Sequence, residues 1–130
     1  MNISAEPVEF PALRDRRYPI HRIANAVEPY LRIIVERFHP LKMVLFGSQA
    51  YGQPDEHSDV DLLVVRDDIT SEKQGVLEIL KAFREVRGQR PPFTLICRRP
   101  ESLAKDEALP GSINHEIISR GLLLYDSTKD

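Results

Sequence analysis

Hydrophobic residues along the chain fall into short blocks whose period switches between about 3.6 and about 2, as helices and strands in turn require. Val27, Leu31, Ile34, Val35 and Phe38 follow helical spacing and predict an amphipathic helix. Its main body is expected after Glu28, with a kinked lead-in, because Pro29 brings no N–H to a helix interior; His39-Pro40 ends it. Met43 to Phe46 reads as a short apolar strand, residues 48 to 53 as a short helix closing at Gly52, and Gln53 to Ser58 as a polar loop. Val60 to Val65 reads as a second strand, apolar on both faces beyond its aspartates, as in a strand covered on both sides.

Ser71 followed by Gln74 is a capping-box signature. It opens a helix expected to turn Val76, Leu80, Phe83 and Val86 or Leu77 inward and to end at Gly88. Pro91-Pro92 leads into a third strand, Phe93 to Cys97, and Pro100-Glu101 opens a short helix. Pro110-Gly111-Ser112 opens another, carrying Ile113 and Ile117, which Gly121 stops before a last strand, Leu122 to Tyr125. The alternation predicts an α/β (or α+β) class, one small mixed β-sheet flanked by helices. Residues 1–19 stand apart, with Pro7, Pro11, Pro19 and the cluster Arg14-Asp15-Arg16-Arg17, and read as an irregular N-terminal arm with solvated arginines. Residues 20–130 read as a single domain.

Composition narrows the class of partner. A hydrophobic share of 42% with 29% charged residues is that of a globular protein, and no apolar run approaches the roughly 18 residues of a membrane span. A net charge of -2 gives no global attraction to nucleic acid, so direct nucleic-acid binding is not expected. The single cysteine, Cys97, excludes an internal disulfide, fits a cytoplasmic setting, and reads as a buried, inert strand residue.

The chemistry concentrates between Val44 and Val65. Asp59 and Asp61, one residue apart at the entry to a strand, project from the same face, and like charges that close repel unless a cation or a shared proton relieves them. Gly47-Ser48, at the end of the preceding strand, offers backbone N–H groups and a hydroxyl of the kind that grip phosphate. Each half is common alone; together and on predicted strands they point to a metal-bound nucleoside triphosphate, with Asp59 and Asp61 as hard oxygen ligands for Mg²⁺ and Ser48 at the β/γ-phosphates. Tyr51 has two readings, stacking on the base or packing on the protein. His57 could reach a phosphate or act as a base, but a solvated loop histidine is the simpler reading. Arg84, Arg87 and Arg90 read as a solvated helix end.

Leu45-Phe46-Gly47-Ser48-Gln49-Ala50-Tyr51-Gly52, ten residues from Ser48 to Asp59, and Ser58-Asp59-Val60-Asp61-Leu62-Leu63-Val64 resemble the signature of the minimal nucleotidyltransferases (MNT-type) of the DNA polymerase β superfamily. Pro100-Glu101-Ser102-Leu103 and the stretch from Pro110 to Tyr125 are similar to the tail of such domains, so the likeness covers about residues 27 to 126. It implies a nucleotidyltransferase fold, Gly47 and Ser48 as the nucleotide-binding pair, and Asp59 and Asp61 as catalytic, metal-binding carboxylates. Two positions depart from the family pattern. Gln49 replaces the usual Arg or Lys, and Thr94 stands where the third carboxylate is expected. Threonine is neither a base near neutral pH nor a good metal ligand, and general-base assistance is worth about 10²–10⁴-fold.

The resemblance also implies a context, in which MNT-type proteins pair with helical HEPN proteins as antitoxins and some attach AMP to the partner. The leading expectation is transfer of NMP, from ATP with Mg²⁺, to a hydroxyl on such a partner, within a homo- or hetero-oligomer. The alternatives are a nucleotide-binding regulatory module with weak or no catalysis, and a pure interaction protein whose motif is a relic.

Overall fold

A computed structural model describes residues 8–55, 58–107, 109, 111 and 113–127. Four strands form one mixed sheet in the order β3-β2-β1-β4. β1 (Lys42–Phe46) lies antiparallel to both β2 (Val60–Val65) and β4 (Leu122–Asp126), while β3 (Phe93–Arg98) lies parallel to β2. The parallel pair is bridged by α3 (Glu72–Phe83), as such a crossover requires. The expected class, a small mixed sheet flanked by helices, is what the chain adopts.

Strand alternation divides the apolar side chains between two layers. Met43 and Leu45 of β1 and Val60, Leu62 and Val64 of β2 face the larger core, which α1 (Ala24–Phe38) and α3 cover. Tyr30, Phe83 and Phe93 tie α1, α3 and β3 together there, with ring centroids 5.0 to 5.5 Å apart. Val44, Leu63 and Val65 face the other way, against Leu103 of α4 (Pro100–Glu107) and Ile117 of α5 (Ile113–Arg120). A bulge opposite Met43 and Val44 lets Leu122, Leu124 and Tyr125 all reach the larger core.

Two local expectations, the start of α1 and the end of α3, need correction, and the N-terminal stretch gains detail. The described part of the stretch read as irregular holds 3-10 turns at Pro11–Arg14 and Pro19–Ile23, which bring Phe10, Leu13 and Ile20 into the larger core. α1 starts at Ala24, before Pro29, and burial of Ala24, Val27 and Tyr30 offsets the hydrogen bond that Pro29 cannot donate. In α3 the expected face is the inward one, with Phe83 buried and Val76, Leu80 and Val86 packed against the larger core beside Ile79, while Leu77 is exposed; the helix ends at Phe83 rather than Gly88. Gly75 also lies tightly on this side, where a Cβ would meet Ile69 Cγ2 at 3.2 Å and Cys97 Sγ at 3.3 Å. The Ser71 cap is present, its hydroxyl accepting from Gln74 N at 3.2 Å.

Candidate functional site

β1 ends at Phe46, and the chain turns through Gly47 into α2 (Ser48–Tyr51). In the antiparallel pair Phe46 stands opposite Asp61; on the other side of β2, Asp61 stands opposite Thr94 in the parallel pair. The end of β1 and the starts of β2 and β3 therefore meet at one rim of the sheet. Alternation places Asp59, Asp61 and Thr94 on the face of Leu63 and Ile96, the face that α4 and α5 cover farther along. Asp59 and Thr94 are exposed and Asp61 is half-buried, so the rim opens to solvent.

Gly47 shapes this rim in two ways. Its φ of 73° lies in the left-handed region, and a Cβ on it would sit 2.0 Å from Asp61 Oδ2. The Asp61 carboxylate thus occupies the space a side chain at position 47 would need. The Gly47 carbonyl accepts the N–H groups of Ala50 and Tyr51 at 3.0 and 3.1 Å, which closes the turn of α2. The turn itself gives the Ser48 and Gln49 N–H groups no carbonyl partner, because the first amides of a helix precede any acceptor within it.

The two carboxylates differ in setting. The Thr94 hydroxyl donates to Asp59 Oδ2 at 2.7 Å. Burial pushes the Asp61 carboxyl above its ordinary range, the Asp59 charge adds to the rise, and the nearby Thr94 hydroxyl pulls it partly back. Among the described residues no lysine, arginine or histidine forms an ion pair with Asp59 or Asp61.

The fold brings Gly47, Ser48, Asp59, Asp61 and Thr94 to one rim, while the loop residues Glu56 and His57 lie outside the described residues. Gln49 is buried, and it borders a cavity of about 240 Å³ together with Pro19, Arg22, Ile23, Pro54 and Asp55. The Arg120 guanidinium lies 4.2 Å from the centroid of the Tyr51 ring, so this ring packs on the protein. Sequence reasoning passed over Arg120 because only the distant pairing of β1 with β4 carries it here. Arg84, Arg87 and Arg90 are exposed, and Cys97 is a buried thiol that desolvation raises to about 11.

Residues 30–130 match the family model described as Polymerase beta, Nucleotidyltransferase. The chain belongs to this family. The matched stretch includes β1, α2, β2 and β3 and with them all five rim residues, and membership supports nucleotidyltransfer as the general activity. No curated protein matches the sequence. Among the described residues no group of three or more His, Cys, Asp or Glu is placed to hold a metal, and no helix is long and apolar enough to cross a membrane.

Proposed function

We propose that the chain transfers the nucleoside monophosphate of a Mg²⁺-bound triphosphate, with ATP as donor, to a hydroxyl on a partner protein. One observation carries this reading: two carboxylates share a face, and one of them fills the space above the glycine that opens the phosphate-gripping turn. Asp59 and Asp61 fit a hard divalent cation, since their donors are all carboxylate oxygens, and burial together with the Asp59 charge already raises Asp61. Bound there, Mg²⁺ would offset phosphate charge and ease departure of pyrophosphate. Ser48 and the first amides of α2 would hold the β/γ-phosphates. The acceptor oxygen bonds to the α-phosphorus, the bond from it to the bridging oxygen breaks, and the acceptor proton passes to water, since Thr94 cannot take it.

An open rim suits a macromolecular acceptor, and the likeness to MNT-type domains supports a HEPN-type helical partner neutralised by the modification, with the chain as its cytoplasmic antitoxin. Thr94 favours a second reading, binding without efficient transfer, because it holds Asp59 with a neutral hydroxyl where a further carboxylate would stand. Labelled ATP, Mg²⁺ and the HEPN-type partner decide between the two. Partner labelling that Asp61→Ala abolishes supports transfer. Labelling that appears only in Thr94→Asp supports the binding module, and a parent that gains no thermal stability from MgATP excludes both.

A further inference from the structure

A nucleoside triphosphate brings several negative charges to a rim that already holds two carboxylates, and α2 contributes no cation. Its residues are Ser48, Gln49, Ala50 and Tyr51, and Gln49 is buried and uncharged. Three features converge on where a cation does enter. Leu45 of β1 stands opposite Leu122 of β4, which brings the end of α5 level with the turn after β1. Gly121 is pressed onto β1: a Cβ there would lie 2.5 Å from Val44 Cγ1 and 2.9 Å from the Leu45 carbonyl. Arg120, the residue before it, sets its guanidinium over the Tyr51 ring.

Tyr51 stands three residues after Ser48, on the same face of α2, and long helical side chains lean back over the preceding turn. The ring that Arg120 covers thus belongs to the same single turn that Ser48 opens. The strand order places β2 on one flank of β1 and β4 on the other. The Gly47-Ser48 turn thus lies between the Asp59–Asp61 pair and the Arg120–Tyr51 pair. The Arg120 side chain is 55% exposed, and its pairing with Glu116 at 3.0 Å is an exposed contact one turn back on α5, easily exchanged for a stronger anion.

We propose that Arg120, held over Tyr51, is a polyphosphate-binding residue of this site, reaching the turn after β1 from α5 and supplying the positive charge that α2 lacks. The inference rests on the nucleotide-binding reading above. A guanidinium suits the task because it presents several N–H donors in a plane and remains charged at any working pH. Tyr51 acts as the positioning residue, fixing the guanidinium by cation–π contact.

Calorimetric titration with Mg²⁺–ATP and with Mg²⁺–tripolyphosphate, which has no base, tests this on the whole chain. Arg120→Gln is expected to weaken both ligands by about tenfold and to flatten the dependence of affinity on salt. Arg120→Lys should recover part of the loss and serves if the glutamine variant folds poorly, and Arg87→Gln should change nothing. Equal affinity of Arg120→Gln and the parent for both ligands overturns the assignment. So does loss of ATP binding with tripolyphosphate binding retained, since the pair would then serve the base. A parent that binds neither ligand removes the nucleotide reading itself, an outcome distinct from either.

Discussion

The two ends of β2 carry charge in opposite ways. At its far end Arg66 is buried and fully compensated. Its Nε and Nη2 donate to Asp68 at 2.9 and 3.0 Å, Nη2 lies 3.1 Å from Glu78, and Nη1 donates to the Gly75 carbonyl at 3.3 Å. The guanidinium also lies 4.3 Å from the Phe38 ring centroid. Burial works against this charge, yet Asp68 and Glu78 outweigh it and raise the Arg66 pKa, while Arg66 lowers that of Asp68. At the near end two carboxylates stand together, and among the described residues only the Thr94 hydroxyl moderates them. A charge satisfied on all sides belongs to the architecture, and a charge pair left in conflict is where an added cation gains most.

Removing the satisfied charge should give the largest effect on stability. Arg66→Met is expected to cost about 2–4 kcal/mol through lost ion pairs and lost contact with Phe38, read as a lower urea midpoint, while the folded fraction still responds to MgATP. A midpoint equal to the parent's would erase the contrast between the two ends. Gly47→Ala should follow, costing about 1–2 kcal/mol and abolishing the thermal shift with MgATP, because its Cβ enters the Asp61 carboxylate. Gly88→Ala is the matched control: its φ is +110°, but nothing lies within 4 Å, so the MgATP shift should persist.

The conflict itself has a sign in pH. A raised carboxyl pKa means that the folded state holds the Asp61 proton more tightly than the unfolded chain does. The stability this gives is present below the unfolded value and is lost as pH rises through the folded one. Asp61→Asn is therefore expected to raise the midpoint of the ligand-free protein by roughly 1–3 °C at neutral pH, to converge with the parent near pH ~4, and to lose the MgATP response. Asp68→Asn should run the other way, with a lower midpoint at neutral pH and convergence in acid, since Asp68 is depressed by Arg66. Differential scanning calorimetry across pH 4–8 (a range of about four units) reads both, and a rise for Asp68→Asn would break the comparison. The smallest change belongs to Thr94→Val, below about 1 kcal/mol for an exposed bond but with a several-fold loss of MgATP affinity as Asp59 loosens.

The near end of β2 was legible in the sequence because its information is local. Period-two spacing alone puts Asp59 and Asp61 on one face, and the Gly47-Ser48 pair follows an obvious apolar strand. The position of Thr94 was legible too, through the strand after Pro91-Pro92, and the register places it opposite Asp61. The far end was not legible: beyond Asp68 in the adjoining loop, Arg66 acquires its meaning from Glu78 on α3 and Phe38 on α1, both distant in sequence. Arg120 escaped for the same reason. The inward face of α3 was legible from its spacing, since Val76, Leu80, Phe83 and Val86 all pack on the larger core, but spacing gives no weight to Gly75, where a Cβ would press on Ile69 and Cys97. Prolines and arginines around residues 11–19 masked Leu13 and Ile20, since a 3-10 turn buries one residue at a time instead of a stripe.

Those turns have a practical consequence for anyone trimming the protein. The stretch recognised by family similarity begins at residue 30, yet Phe10 packs on Tyr125, Arg14 pairs with Glu28, and Pro19–Ile23 packs against α2, next to the Gly47-Ser48 turn. Expression of residues 30–130 alone would uncover the apolar floor beneath Phe10, Leu13 and Ile20 and remove the support on which Gln49 rests. Such a fragment should aggregate or need a solubilising fusion. The unit that similarity detects is smaller than the unit that folds.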